Sequence, residues 1–327
     1  MPRAIDWEGR IGRRLRLRDL HVFFAVVESG SMAKAAAQLR VKQPSVSKAI
    51  GDLEAALGVR LFDRSPQGVR PTIYGDALVE CGVAVFDELK QGIGKIELLS
   101  DPTSGEVRIG CIPSMAATIV PSVISRFARK YPRAIVHVDV VRSAAQVAGL
   151  RERKFDFTIT RTQELPTDEL DDLNSEILFH DELVVAAGAR SRWARRRHIG
   201  LPELVHERWI VAPAYSWNYT RLLEAFRASG LSMPSAGLVT LSLHIVAQLL
   251  ADDEYITALP ASWVRACGLK ILPVDLPLRP WPVVILTLKN RTLSPAVERF
   301  IESVREVAKS FAKPPRRASH LSNPNVS

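Results

Sequence analysis

The sequence predicts an α/β protein in two parts. A winged helix-turn-helix at the N-terminus continues into a long linker helix, and a body of alternating strands and helices follows. Three observations carry this: helical apolar spacing in short runs before residue 57, a turn-rich hairpin directly after them, and a strand–helix rhythm from Glu106 onward.

Residues 1–16 read as a frayed basic leader. Leu20, Phe23, Phe24 and Val27 then repeat as one face of a helix that Gly30 stops. Ser31 suits the N-cap of a second helix, Met32–Leu39. After a break at Arg40–Lys42, Pro44 fits the first turn of a third helix reaching Leu57. Val46, Ile50, Leu53 and Leu57 line one face of it, with Ser45, Lys48 and Asp52 opposite. Arg60–Arg64 and Val69–Thr72 flank the turn Ser65-Pro66-Gln67-Gly68 and form the wing.

From Ile73 to Leu99, capped by Thr72, the apolar residues Tyr74, Leu78, Cys81, Val85, Leu89, Ile93, Ile96 and Leu99 form one seam. A seam of that length either pairs with a second copy or lies on its own body. Gly82, Gly92 and Gly94 each weaken a helix by about 1 kcal/mol relative to Ala, which predicts a bend or an early end. Asp101–Gly105 reads as a linker.

In the body, Glu106–Cys111, Ile135–Val140 and Phe155–Thr160 read as strands, with helices at Ala116–Lys130 and Ala144–Arg151 between them. Further strands follow at Leu183–Ala187, Trp209–Ala212, Leu238–Leu241, Ile256–Leu259 and Val283–Leu288, and a helix at Ala296–Ala308 closes the body. This rhythm predicts a mostly parallel sheet with a ligand cleft at the carboxyl ends of its strands. The tail 309–327 reads as disordered.

The 327 residues carry a formal charge of +9, unevenly spread. Residues 1–72 hold 13 basic and 7 acidic groups, the tail four basic and none acidic, and the 236 residues between them balance at −1. That is a polyanion-binding head on a near-neutral module. No apolar run reaches the ~20 residues of a membrane helix, and no secretory h-region follows the leader. Cys81, Cys111 and Cys267 make neither a disulfide framework nor a zinc spacing, and the seven histidines are scattered, so a reduced cytoplasm without metal or cofactor is expected. No GxSxG, GxxxxGK, HExxH or GxGxxG occurs. Gly92-Ile93-Gly94-Lys95 lacks phosphate-loop spacing, so no enzyme and no catalytic residue is predicted.

The stretch Phe23-Phe24-Ala25-Val26-Val27-Glu28-Ser29-Gly30-Ser31, then Ala35–Leu39, Gln43-Pro44-Ser45-Val46-Ser47-Lys48-Ala49-Ile50, Leu53-Glu54, Leu57-Gly58, Leu61-Phe62-Asp63-Arg64 and Thr72-Ile73-Tyr74-Gly75 resembles the N-terminal signature of the LysR-type transcriptional regulators. Gly105–Gly110, Tyr131-Pro132, Phe155-Asp156-Phe157 and Leu259-Pro260 extend the match more loosely, so it spans about Leu17–Ala308. Head and linker most resemble the members related to galactose-binding-protein regulators. The resemblance implies a DNA-binding domain at 17–72, a dimerising linker helix at 73–100, and an effector domain at 105–308 like a two-lobed periplasmic binding protein. Lobe I would comprise about 105–170 and 278–308, and lobe II about 171–277. It further implies a homodimer or homotetramer, an operator duplex and a small effector, with RNA polymerase as a further partner and no membrane.

Two positions depart from the family pattern. Lys42 stands where a hydroxyl would cap the recognition helix, and Asp253-Glu254-Tyr255 replaces a Gly-x-Gly turn. Lys cannot accept a hydrogen bond and places positive charge at a positive dipole end, which a DNA phosphate would offset.

Gln43, Ser45, Ser47 and Lys48 on the third helix suit base-edge contact, against the bland reading of solvated or capping residues. Arg40, Lys42, Arg64 and Arg70 suit phosphates. For the effector, strand-to-helix loops nominate Ser114 and Met115, Thr160, Arg161 and Thr162, and Ser242; N–H groups, hydroxyls and an arginine there favour an anionic or polyhydroxylated metabolite. Plain N-capping by Ser114 and Ser242 is the competing reading. Tyr215, Trp217 and Tyr219 cluster in a loop that would wall the cleft or pack between lobes. Arg190, Arg192 and Arg195–Arg197 read as a solvated face or a second DNA surface, and Cys111 as a buried strand cysteine rather than a redox sensor.

The predicted function is therefore a ligand-responsive DNA-binding regulator. One alternative is an effector-independent repressor, which would show no change of induction in Ser114 and Ser242 variants. The other is a small-molecule-binding or catalytic protein that meets DNA incidentally, which would turn over a ligand or bind DNA without sequence preference.

Overall fold

The computed structural model describes residues 15–65, 68–101, 103–163, 165, 170–252 and 254–311. Most of the leader, the hairpin tip Pro66-Gln67, Pro102, Asp253 and the tail beyond Phe311 lie outside the described residues. The chain divides into two compact units between Lys90 and Gln91.

In the first unit, α1 (Leu17–Ser29), α2 (Met32–Gln38) and α3 (Gln43–Leu57) precede the strands β1 (Phe62–Ser65) and β2 (Gly68–Pro71). Gly30 ends α1 at φ 63°, a left-handed conformation cheap only for glycine, and the Ser31 hydroxyl caps α2 by accepting from the Lys34 N–H. Phe23, Val26, Ala35, Val46, Ile50, Leu53 and Leu61 form the buried core that the helical spacing prescribes. The wing pairs antiparallel, Asp63 opposite Arg70 and Arg64 opposite Val69. Backbone donors fix it to the helical part: the Val69 N–H donates to Gly30 O at 2.9 Å, and the Glu54 carboxylate accepts from the Leu61 N–H at 2.8 Å and the Phe62 N–H at 3.4 Å.

The linker helix α4 (Ile73–Ser100) starts on the Thr72 hydroxyl, which accepts from the Gly75 N–H at 3.2 Å. It runs unbroken for 28 residues, so the glycines do not end it. Gly82 has a packing reason: a Cβ there would lie 2.8 Å from the Phe24 ring. Tyr74, Val85, Leu89, Ile93, Ile96 and Leu99 of the seam are exposed, Leu99 at 85%.

The second unit opens with β3 (Ser104–Cys111), a one-turn α5 (Pro113–Ala116), α6 (Ile119–Lys130), β4 (Arg133–Val140), α7 (Ser143–Arg151) and β5 (Phe157–Thr160). The single helix expected at Ala116–Lys130 is thus two, broken at Thr118, whose φ −125° and ψ −87° are not helical. There follow β6 (Leu173–Asp181), β7 (Leu183–Ala187), β8 (Trp209–Val211), α8 (Trp217–Ala228), β9 (Ala236–Val239), α9 (Leu243–Ala251), β10 (Ile256–Pro260), α10 (Ala261–Ala266), β11 (Lys270–Ile271), β12 (Trp281–Leu288) and α11 (Pro295–Phe311).

Two five-stranded sheets result, β4-β3-β5-β12-β6 and β11-β7-β10-β8-β9. The chain crosses between them twice, from β6 to β7 and from β11 to β12. The sheets are mixed rather than mostly parallel: β12 runs antiparallel to both β5 and β6, and β7 antiparallel to both β10 and β11. The reason is topological, because each crossing strand returns from the other lobe instead of through a local helix. Residues 173–181, expected in lobe II, belong to the first sheet through β12, so the lobe boundary falls after Asp181.

Candidate nucleic-acid and ligand sites

In the first unit, the buried stripe of α3 leaves its other face to solvent. Gln43, Ser45 and Lys48 are exposed and Ser47 is half-buried. Lys42 is the N-cap residue, extended at φ −78° and ψ 143°, and its side chain caps nothing. Lys42→Ser should therefore raise the melting stability of the head by about 1 kcal/mol while weakening its hold on DNA, read by thermal unfolding and duplex titration.

Arg40 sits in the turn between α2 and α3 at φ 54°. A non-glycine residue there costs about 1–2 kcal/mol of strain, and the left-handed kink sets an exposed arginine at the foot of the recognition helix. Arg64 and Arg70 are exposed on the wing strands. Glu54 matters here without touching a ligand, since its carboxylate fixes where the wing leaves α3. Its one sequence signal is its place beside Leu53 in the head signature.

In the second unit, the carboxyl ends of β3, β4 and β5 lead into α5, α7 and the 161–163 turn. Ser114 is buried in the short α5, where its carbonyl accepts from Thr118 Oγ1 at 2.7 Å. Met115 is 1% exposed and packs into the main core with Ile112, Ile119 and Phe157. Thr160 is fully buried with its hydroxyl on Ser143 Oγ at 3.1 Å. Thr162 is half-buried. Ser242 takes the capping role, its Oγ accepting from the Ile245 N–H at 3.3 Å at the start of α9.

Arg161 makes a contact from one lobe to the other. Its guanidinium lies 4.1 Å from the Trp217 ring centroid, and Trp217 meets Trp281 edge to face at 4.5 Å. Trp217 and Tyr219 are helical rather than in a loop, because Ser216 caps α8 by accepting from the Tyr219 N–H; Tyr215 stays outside, 74% exposed. Ser143, bonded to Thr160, and Trp281, packed on Trp217, belong to this region and were missed by the sequence reading. Val141-Arg142 joins β4 to α7, which Ser143 opens, a strand-to-helix junction of the kind that nominated the others, so a signal for Ser143 was present.

The first crossing between the lobes is held by Asp181, 3% exposed. Its carboxylate accepts from Ser262 Oγ at 2.6 Å and from the Ser262 and Glu182 N–H groups. Burial pushes this carboxyl above the usual carboxylate range, and the three hydrogen bonds oppose that rise. At the departure from the family turn, Glu254 pairs with Arg208 at 2.7 Å while Arg208 stacks on Tyr255 at 4.7 Å. Cys111 is fully buried, and desolvation, with the Asp139 charge second, pushes its thiol up to about 12, well out of the reactive range. Among the described residues, no helix is long and apolar enough to cross a membrane.

Comparison with known proteins agrees with these two units. Residues 17–76 match the bacterial regulatory helix-turn-helix protein, lysR family, and residues 100–309 match the LysR substrate binding domain. The chain is 29% identical to the HTH-type transcriptional regulator GbpR of Azospirillum brasilense, over 96% of this chain and 92% of that one. It is 28% identical to the HTH-type transcriptional regulator YdcI of Escherichia coli, over 90% and 96%. Its fold is similar to that of a full-length OxyR variant from Pseudomonas aeruginosa, with a TM-score of 0.60 at 21% identity over 90% of this chain and 95% of that one. With the head and the effector body both matched end to end, the chain belongs to the LysR family of DNA-binding transcriptional regulators.

Proposed function

We propose that α3 reads an operator in the major groove through Gln43, Ser45, Ser47 and Lys48, while Arg40, Lys42, Arg64 and Arg70 hold the flanking phosphates. The observation that carries this is the exposure of one polar face of α3 beside two exposed wing arginines, over an otherwise closed core. The exposed seam of α4 supports pairing with a second copy, which would present two heads to a symmetric site as a homodimer or homotetramer in the cytoplasm. A head and linker spanning residues 1–100 that sediments as a dilute monomer would count against that pairing.

An anionic or polyhydroxylated effector would bind near Ser114, Thr160, Arg161, Thr162 and Ser242, with Ser143 and Trp217 beside them, and shift the angle between lobes, the spacing of paired heads and the access of RNA polymerase. The body is assigned no catalytic role. Arg70→Ala tests the phosphate assignment: affinity should fall about equally on every sequence and the salt slope should flatten by about one unit per protomer. Loss of operator binding alone, with non-specific binding intact, would remove Arg70 from that role.

A further inference from the structure

The near-neutral body carries one concentrated basic surface that the head's function does not use. Between β7 and the 3-10 turn Leu201–Leu204, the segment Arg190–Arg197 holds five arginines within eight residues, inside a 236-residue stretch whose charges, these five included, sum to −1. All five are exposed.

The segment is anchored rather than loose. Ser191 and Ile199 are buried at its two ends, and the Ile199 N–H donates to Pro273 O at 3.1 Å. Trp193 packs against the main core between them, with the Arg192 and Arg196 guanidiniums 5.2 and 5.9 Å from its ring. Arg192 pairs with Glu207, and Arg196 with Glu203 at 2.9 Å. Arg195 and Arg197 have no ion pair among the described residues.

We propose that this surface is a second DNA-contact site, gripping the phosphate backbone of duplex outside the operator read by α3. Three arguments favour nucleic acid. The surface is built from arginine without lysine, and the guanidinium fork suits phosphate oxygens bidentately. Two acids hold Arg192 and Arg196 while Arg195 and Arg197 remain for a partner, and the anchoring lowers the entropy lost when that partner arrives. The body is also covalently tethered to a DNA-binding head, so even a weak contact acts at a high effective concentration. The inference rests on the head's DNA binding for that tether.

The test uses full-length protein and two duplexes, one trimmed to the minimal operator and one extended on both sides with unrelated sequence. Affinity is titrated across salt for wild type and for the R195Q/R197Q double variant, whose thermal midpoint should be unchanged because both side chains are exposed. The extended duplex should lose affinity several-fold in the variant, with a salt slope flatter by about one unit per arginine per protomer, and the minimal duplex should bind as before. Equal binding of wild type and variant to the extended duplex would overturn the proposal. So would unchanged DNA binding with altered transcription, which would point to an acidic protein partner. Wild type failing on both duplexes would sink the DNA-binding reading itself, and this proposal with it.

Discussion

Asp156→Ala should cost the effector domain about 3–5 kcal/mol, the range for breaking a buried ion pair from one side. The Arg291 side chain is 1% exposed; it donates to Asp156 Oδ1 at 2.9 Å and to Phe155 O. The other carboxylate oxygen accepts from the Arg108 N–H at 2.8 Å. One carboxylate thus ties β3, the entry to β5 and the segment between β12 and α11. Removing it leaves the buried guanidinium without its counter-charge, still bonded to the Phe155 carbonyl. For a domain of this size the midpoint should fall by about 6–20 °C, at about 2–4 °C per kcal/mol. Thermal unfolding checks it, and a paired apolar replacement, D156L/R291M, should recover part of the loss, since it removes the uncompensated charge but leaves the Arg108 N–H without its acceptor. A D156A midpoint within a degree of wild type would mean the pair contributes nothing.

The second large effect concerns recognition. Gln43→Ala should cost about 1–3 kcal/mol of discrimination at one base pair of each half-site, which is roughly 5- to 150-fold, because it removes the bidentate amide contact to adenine that the proposal assigns to Gln43. Non-specific affinity should hold, since no charge changes. Competition titration with operators altered at single positions reads the effect. An equal loss at every position would mean that Gln43 acts through folding of the α3 start rather than through a base.

The head was legible from sequence nearly to the residue, since its signals are local. Gly30, Ser31, Pro44 and Thr72 each mark a helix end, and the apolar spacing alone places Phe23, Val46, Ile50 and Leu53 in one core. The body was legible only in part. β6 escaped because its alternation breaks phase: its register with β12 shifts between Val283 and Val284, so only Leu173, Phe179 and Asp181 of its nine residues are buried. Strand direction escaped because β12 joins its neighbours after the whole second lobe intervenes, a pairing no local pattern encodes. Among the candidate ligand residues, spacing located the strand ends but could not tell which side chains turn inward. Met115 packs in the core, and Ser242 caps α9 while remaining in the proposed effector site. Arg161 found Trp217 across the lobes, a contact between residues far apart in sequence.

The most direct test of the central claim is selection of duplexes from a random library by the full-length protein. The account predicts enrichment of one two-fold symmetric motif, with Gln43→Ala relaxing the same base pair in both halves. Recovery of no common motif, or of one that the Gln43, Ser45 and Lys48 variants leave unchanged, would contradict it.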